Sequence, residues 1–261
     1  MRGSLLIGGV LAAGLSFGVP LINGDLSVGV MNHSPSGYIQ YPTGTGDTVD
    51  LKDTFGLESK VKPFARAKIE IPIVPNLYLQ YIPMSFEGTG RYSTTLTFGD
   101  VDFQANVDLD TYVKVDHYDV GLYYNLPLVG AATAGLLDPE VGINVRILDL
   151  EGRVTGTESG TGLTRTESVS ETVPVPMGYV SLGVNLPMVS FIGELRGITY
   201  SGSYYYDLTA EVRAKPLSIP ALAGVFVGAG YRYEVLKLDD VGDLTAEIKV
   251  SSLFANVGVS F

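Results

Sequence analysis

The sequence predicts an all-β protein, a transmembrane antiparallel up-and-down β-barrel of about ten strands. Three observations carry that expectation. Residues 252–261 alternate, with Leu253, Ala255, Val257, Val259 and Phe261 on one face and Ser252, Phe254, Asn256, Gly258 and Ser260 on the other. A period of two marks a β-strand, and an apolar face that closes on an aromatic suits a strand whose outside meets lipid. Proline turns alternate with Gly- and Asp-rich loops along the chain. Charges fall, strand after strand, on the face opposite the apolar one.

The N-terminus carries Arg2 and then an apolar run over 5–15 broken by Gly8, Gly9 and Gly14, with Pro20 beyond it. One positive charge before a short apolar segment matches a secretory signal peptide, whereas the glycines and the proline argue against a spanning helix. Residues 1–23 are assigned to that peptide, with cleavage between Gly18 and Gly24, and 24–261 to a single barrel domain. Elsewhere the 46 % of hydrophobic residues are diluted one-to-one with polar ones. No further apolar run approaches the roughly 20 residues of a membrane helix.

Composition excludes several functions. The chain has no cysteine, so disulfides and thiolate chemistry are absent. A net charge of −11 argues against nucleic acid, which binds basic surfaces. No cofactor and no metal site is expected.

Proline lacks the N–H that a β-ladder needs and so marks strand ends. Ile71-Pro72, Leu126-Pro127, Leu186-Pro187 and Lys215-Pro216 each close an alternating run. Between them lie Gly/Asp-rich loops at 34–58, 99–100, 155–165, 201–202 and 239–244. Four turns and five loops separate strands at 24–33, 59–71, 76–98, 101–126, 138–155, 165–186, 189–201, 203–215, 223–238 and 245–261. An even count leaves both termini on one side, the periplasm of an outer-membrane barrel. The 76–98/101–126 pair is long enough to project beyond the bilayer as a polar, twisted hairpin. Segment 128–137 is the one internal candidate for a short helix, at the periplasmic rim.

Outward sets then read Val141/Ile143/Val145/Ile147, Val180/Leu182/Val184/Leu186 and Val225/Val227/Ala229/Tyr231/Tyr233. The inward sets hold Arg66, Lys68, Glu70, Asp119, Glu140, Arg146, Glu194, Arg196, Asp207, Glu211, Arg213, Arg232 and Glu234. An Arg or Lys facing lipid at mid-bilayer costs roughly 2–4 kcal/mol, so energetics demands this sorting. A soluble barrel would invert it. Six inward cations against seven inward anions give a lumen close to neutral. A selective pore would favour one sign, so cross-lumen pairing with little or no open channel is expected.

Several segments bear a likeness to a known group. They are Ser34-Pro35-Ser36-Gly37; Asp50-Leu51-Lys52-Asp53 with Gly56-Leu57; Ala65-Arg66-Ala67-Lys68-Ile69-Glu70 through Pro75-Asn76-Leu77; Asp116-His117-Tyr118-Asp119; and Tyr123-Tyr124-Asn125. Over most of the mature chain the sequence resembles a family of small Gram-negative outer-membrane β-barrel proteins of uncharacterised function. That resemblance implies fold and location and brings no catalytic residues. The expected partners are outer-membrane lipid and lipopolysaccharide, with the barrel-assembly machinery during insertion, around a monomer.

Candidate chemistry is sparse. His117 and Asp119 lie two apart, hence on one strand face, where a carboxylate can orient an imidazole. Ten-stranded outer-membrane proteases use such a pair, but in Asp-x-His order and with a second acidic pair that is not identifiable here; a lumen hydrogen bond is the plainer role. His33-Ser34 suggests a hydrolase only if both side chains converge, and strand neighbours diverge. Asp239-Asp240 with Asp243, and Asp108 with Asp110, are solvated loop charge before they are cation ligands. The leading expectation is a non-enzymatic structural or binding barrel, with loop 34–58 and the long hairpin as its contact surface. The alternatives are a narrow pore for small or hydrophobic solutes and a hydrolase using His117/Asp119. Val257, Val259 and Phe261 also resemble the C-terminal signal of outer-membrane barrels, and strand 10 should close the ring against strand 1.

Overall fold

The computed structural model describes residues 22–219 and 223–261; of the segment assigned to a signal peptide, only Ile22 and Asn23 fall within them. The strands are β1 (Asn23–Gln40), β2 (Thr48–Asp50), β3 (Lys60–Glu70), β4 (Asn76–Ile82), β5 (Ser85–Arg91), β6 (Leu96–Phe98), β7 (Val101–Phe103) and β8 (Asp108–Asn125). A short helix, α1 (Pro127–Ala132), precedes β9 (Leu137–Thr157), β10 (Thr164–Asn185), β11 (Val189–Tyr200), β12 (Ser203–Ile219), β13 (Ala223–Val241) and β14 (Leu244–Ser260). Leaving out β2, β6 and β7, and counting β4 and β5 as one interrupted stave, ten staves follow one another antiparallel around a ring.

The ring closes as the alternation requires. β14 pairs with β1 at Val28↔Val257 and Leu26↔Val259. Gly24 and Phe261 then exchange two backbone hydrogen bonds of 2.9 Å each. Closure leaves no edge among the staves at this level.

Outside, an apolar belt circles the barrel. Val141, Ile143, Val145 and Ile147 are exposed on β9, as are Tyr118, Val120, Leu122 and Tyr124 on β8 and Leu253 and Val257 on β14. Along β14 and the residue after it the belt runs from Leu253 to Phe261, about 27 Å of chain at ~3.4 Å per residue. That length suits a tilted membrane strand. Tyr81 stacks on Tyr118 at 4.8 Å between centroids at one rim; Phe191 and Phe261 are exposed at the other. Water would not tolerate so continuous an apolar wall on a monomer; the wall faces lipid.

Prolines inside strands show where the ring loses a neighbour. Pro63 pairs with β1, while β4 joins β3 only from Ala65. Pro174 and Pro176 pair with β9, while β11 joins β10 only from Gly178. A missing N–H costs nothing on a side that has no partner. Pro216 departs from the expected turn: β12 continues past it through an irregularity between Ala214 and Leu217, and the connection falls outside the described residues.

Two expectations about the outer end are corrected. The 76–98/101–126 pair does not stand out as a polar hairpin. Its third stave breaks after Ile82, where the Met84 N–H donates to Asp116 Oδ1 at 2.9 Å. Beyond Arg91 the chain forms the separate β6–β7 hairpin, which folds over the barrel mouth. Nor is 34–58 one open loop: 34–40 continues β1, β2 pairs back on it at Ile39↔Val49, and apolar side chains beyond it turn inward. The cause is apolar surface. Val49, Leu51, Phe55, Leu57, Leu96, Phe98 and Phe103 are all at most 5 % exposed and form one cap. Phe98 meets Tyr41 and Phe55 edge-on at 5.8 and 6.2 Å. The cap crosses β5 at backbone contact, since a Cβ on Gly90 would lie 1.6 Å from the Thr54 carbonyl oxygen.

The tall outer hairpin is β9–β10 instead, paired without interruption from Leu137↔Val184 to Thr157↔Thr164. At its tip the Thr161 hydroxyl donates to Glu158, and this bond, with Arg165 beside it, holds the Glu158 carboxyl below the usual carboxylate range.

Candidate functional site

The lumen is built by the inward face of each stave, every second residue, so its composition changes with height. On β8 the inward series runs Tyr123, Gly121, Asp119, His117, Val115, Val113; on β9 it runs Glu140, Gly142, Asn144, Arg146, Leu148. The half nearer the chain ends is polar and charged, and the outer half is apolar and continuous with the cap.

Nearest the chain ends, Lys68 sits in an aromatic and acidic cage. Its Nζ lies 2.7 Å from Glu140 and 3.4 Å from Glu194, with the rings of Tyr123, Tyr179 and Tyr78 at 5.2, 5.8 and 5.9 Å. The Tyr179 hydroxyl donates to Glu140 at 2.6 Å. Beside it Arg66 donates to Glu211 at 2.6 Å. Arg213 and Asn256 also donate to Glu211, and Arg213 reaches Asp25 at 2.8 Å.

Farther in, Arg146 is the hub. Its guanidinium makes a fork to Asp119 at 2.9 and 3.0 Å and also donates to Asp207, Glu234 and the Tyr205 hydroxyl. Arg232 makes a second fork to Asp207, both bonds 2.9 Å, and reaches Glu234 at 2.8 Å. Arg196 donates to Glu194 at 3.1 Å and lies over Tyr78 and Tyr179 at 4.5 and 4.9 Å. Arg146 and Asp207 are fully buried. Paired guanidinium forks are what such burial requires, because an isolated ion there is prohibitively costly.

All thirteen inward charges of the sequence lie on the lumen side, and twelve join these clusters. Among the described residues Glu70 makes no ion pair there; with Asp25, Asp138, Lys215 and the cluster residues Lys68, Glu140 and Arg213 it lines a cavity of about 460 Å³ at the end that holds Asn23 and Phe261. The sequence did not single out Asp25, the four tyrosines or the asparagines. Tyr78 stands directly opposite Lys68 in the β3–β4 register, and Tyr123 lies two steps of the alternation from Asp119, so period and register held the signal.

His117 and Asp119 share a face but do not meet. Asp119 is taken by Arg146 and Asn144, while His117 lies 3.3 Å from both Arg232 and the Tyr205 hydroxyl. His117 is 1 % exposed. His33 lies on β1 as expected, and the strand continues through Ser34; His33 points inward and bonds the Ser252 hydroxyl at 2.9 Å, while Ser34 faces out. These two cannot form a hydrolase pair. Asp108 takes Arg91 and Asp110 takes Thr89, and Asp240 and Asp243 hold positive φ in the β13–β14 turn.

No protein-family model and no curated protein matches the chain. Solved structures share the barrel at a distance. The attachment invasion locus protein Ail of Yersinia pestis has 12 % identity and a TM-score of 0.36 over 92 % of this chain and 99 % of its own. The translocator domain of the autotransporter NalP of Neisseria meningitidis gives 12 % and 0.33 over 97 % and 92 %. A mutant of the monoaromatic hydrocarbon channel TodX gives 11 % and 0.32 over 92 % and 90 %. Likenesses this remote do not bear on function.

Proposed function

We propose that this protein is an integral barrel of a Gram-negative outer membrane with a structural or binding role, neither catalytic nor conducting. One observation carries the reading: the lumen is filled twice over, by the ion-paired layer around Arg146 and by the apolar cap. Arg146, Arg196, Asp207 and Arg232 are each at most 1 % exposed, which supports a lumen packed too tightly at their level for a wide aqueous path. The short connections near residues 71–75 and 186–188 lie at the end with the chain termini, and the tall hairpins at the other. Outer-membrane barrels place short turns in the periplasm and long loops outside, so both termini are assigned to the periplasm. Contacts with lipid and lipopolysaccharide follow from the belt, and recognition by the barrel-assembly machinery from the strand ending at Val257, Val259 and Phe261. Liposome swelling tests the reading against a narrow pore. Vesicles carrying the refolded protein should not swell in isotonic small sugars or amino acids, and swelling above that of empty vesicles refutes the sealed lumen.

A further inference from the structure

Along β10 the two sides have different neighbours. From Gly178 to Asn185 it pairs with β9 and β11; from Thr164 to Met177 it pairs with β9 alone. The last pairing with β11 is Gly178↔Gly197, and β11 ends three residues farther on, at Tyr200. Above that level β11 and β12 are missing from the wall and β10 is an open edge. The prolines tell which residues face the opening. Pro174 and Pro176 have no N–H, so their positions point away from β9, and alternation places Thr164, Thr166, Ser168, Ser170 and Thr172 with them. The hairpin closure agrees: the Glu158 N–H donates to the Leu163 carbonyl, which leaves Thr164 in the outward-directed set. Among the described residues no other segment bonds to this edge. A long unpaired edge is a template for another strand.

We propose that this edge pairs with the same edge of a second copy, antiparallel about a two-fold axis at Ser168. In that register Ser168 faces Ser168, Thr166 faces the copy's Ser170 and Thr164 faces the copy's Thr172, so every backbone-bonded position meets its own kind. The five hydroxyl side chains lie together on one face. On the other face Arg165 meets the copy's Glu171, twice by symmetry, and Glu167 meets Val169. Neighbouring registers are worse. Centring on Glu167 opposes Glu167 to itself, and centring on Val169 opposes Glu167 to Glu171 twice. Glu171 has no ion-pair partner among the described residues, and Arg165, whose side chain is 56 % exposed, spends one of its five donors on Glu158. Pro174 and Pro176 end the pairing on the side of the membrane. Because the axis is normal to the barrel wall, it turns the second barrel upside down. The two copies therefore belong to facing membranes, or to free micelles, and within one bilayer the barrel stays monomeric.

The absence of cysteine makes the register measurable. In detergent, mildly oxidised full-length Ser168→Cys should give a covalent dimer, its Cα atoms about 5.5 Å apart. Ser170→Cys, about 14 Å from its equivalent, should remain monomeric. Arg165→Glu in the Ser168→Cys background should abolish the dimer, and Arg165→Glu with Glu171→Arg should restore it. Liposomes bearing the wild type should cluster and those bearing Arg165→Glu should not. The pairing is overturned by a monomeric Ser168→Cys that shows the heat-modifiable mobility of a folded barrel, by equal cross-linking of Ser170→Cys, by failure of the charge swap, or by clustering that ignores Arg165.

Discussion

Arg146 gathers three carboxylates from three different staves, so its loss leaves Asp119, Asp207 and Glu234 short of positive charge where water does not reach. Removing one member of a buried pair costs roughly 3–5 kcal/mol. Arg146→Met should therefore lower the urea midpoint of the folded barrel, followed by heat-modifiable gel mobility, by far more than Lys68→Met. The Lys68 acceptors keep other donors, Tyr179 for Glu140 and Arg196 for Glu194. An Arg146→Met midpoint equal to that of Lys68→Met contradicts this hierarchy. At this scale the sequence was informative about direction. A charge cannot face lipid, so Arg146 and Asp207 had to point inward. Their pairing was not legible, because which residues meet across a ring depends on the stagger between staves, a property no single strand carries. Asp119 illustrates it: its sequence neighbour His117 looked like its partner, and a guanidinium from β9 claims it.

At the scale of elements, alternation found ten staves and proline found most of their ends. It failed where apolar residues served an inner face above the membrane. Leu96, Phe98 and Phe103 sit in a stretch whose threonines and aspartates suggest a solvated hairpin, yet they hold the cap. Phe98→Ala removes a ring that two other aromatics contact, a loss of about 3–5 kcal/mol for a buried Phe. It should open segments 41–57 and 92–107 to limited proteolysis while the belt staves stay protected; an unchanged cleavage pattern refutes the cap. The closing strand makes a separate prediction. Deleting Phe261, which bonds Gly24 twice, should reduce assembled barrel in the membrane far more than trimming 159–162 at the β9–β10 tip. Equal losses would count against strand closure as the assembly-limiting feature.

Over the whole molecule, two fillings of opposite character stand in series. The ionic layer alone has its hub residues out of reach of water, and the apolar cap closes the outer mouth independently. Residues remote in sequence make both, such as Arg66 with Glu211 and Phe55 with Phe98, which is why a near-neutral lumen charge did not reveal the two parts. A lumen sealed in this way passes no ions, and planar-bilayer current measures that directly. With the folded protein inserted in 1 M salt, the baseline should be indistinguishable from bare lipid; reproducible current steps that scale with salt concentration would overturn the sealed lumen.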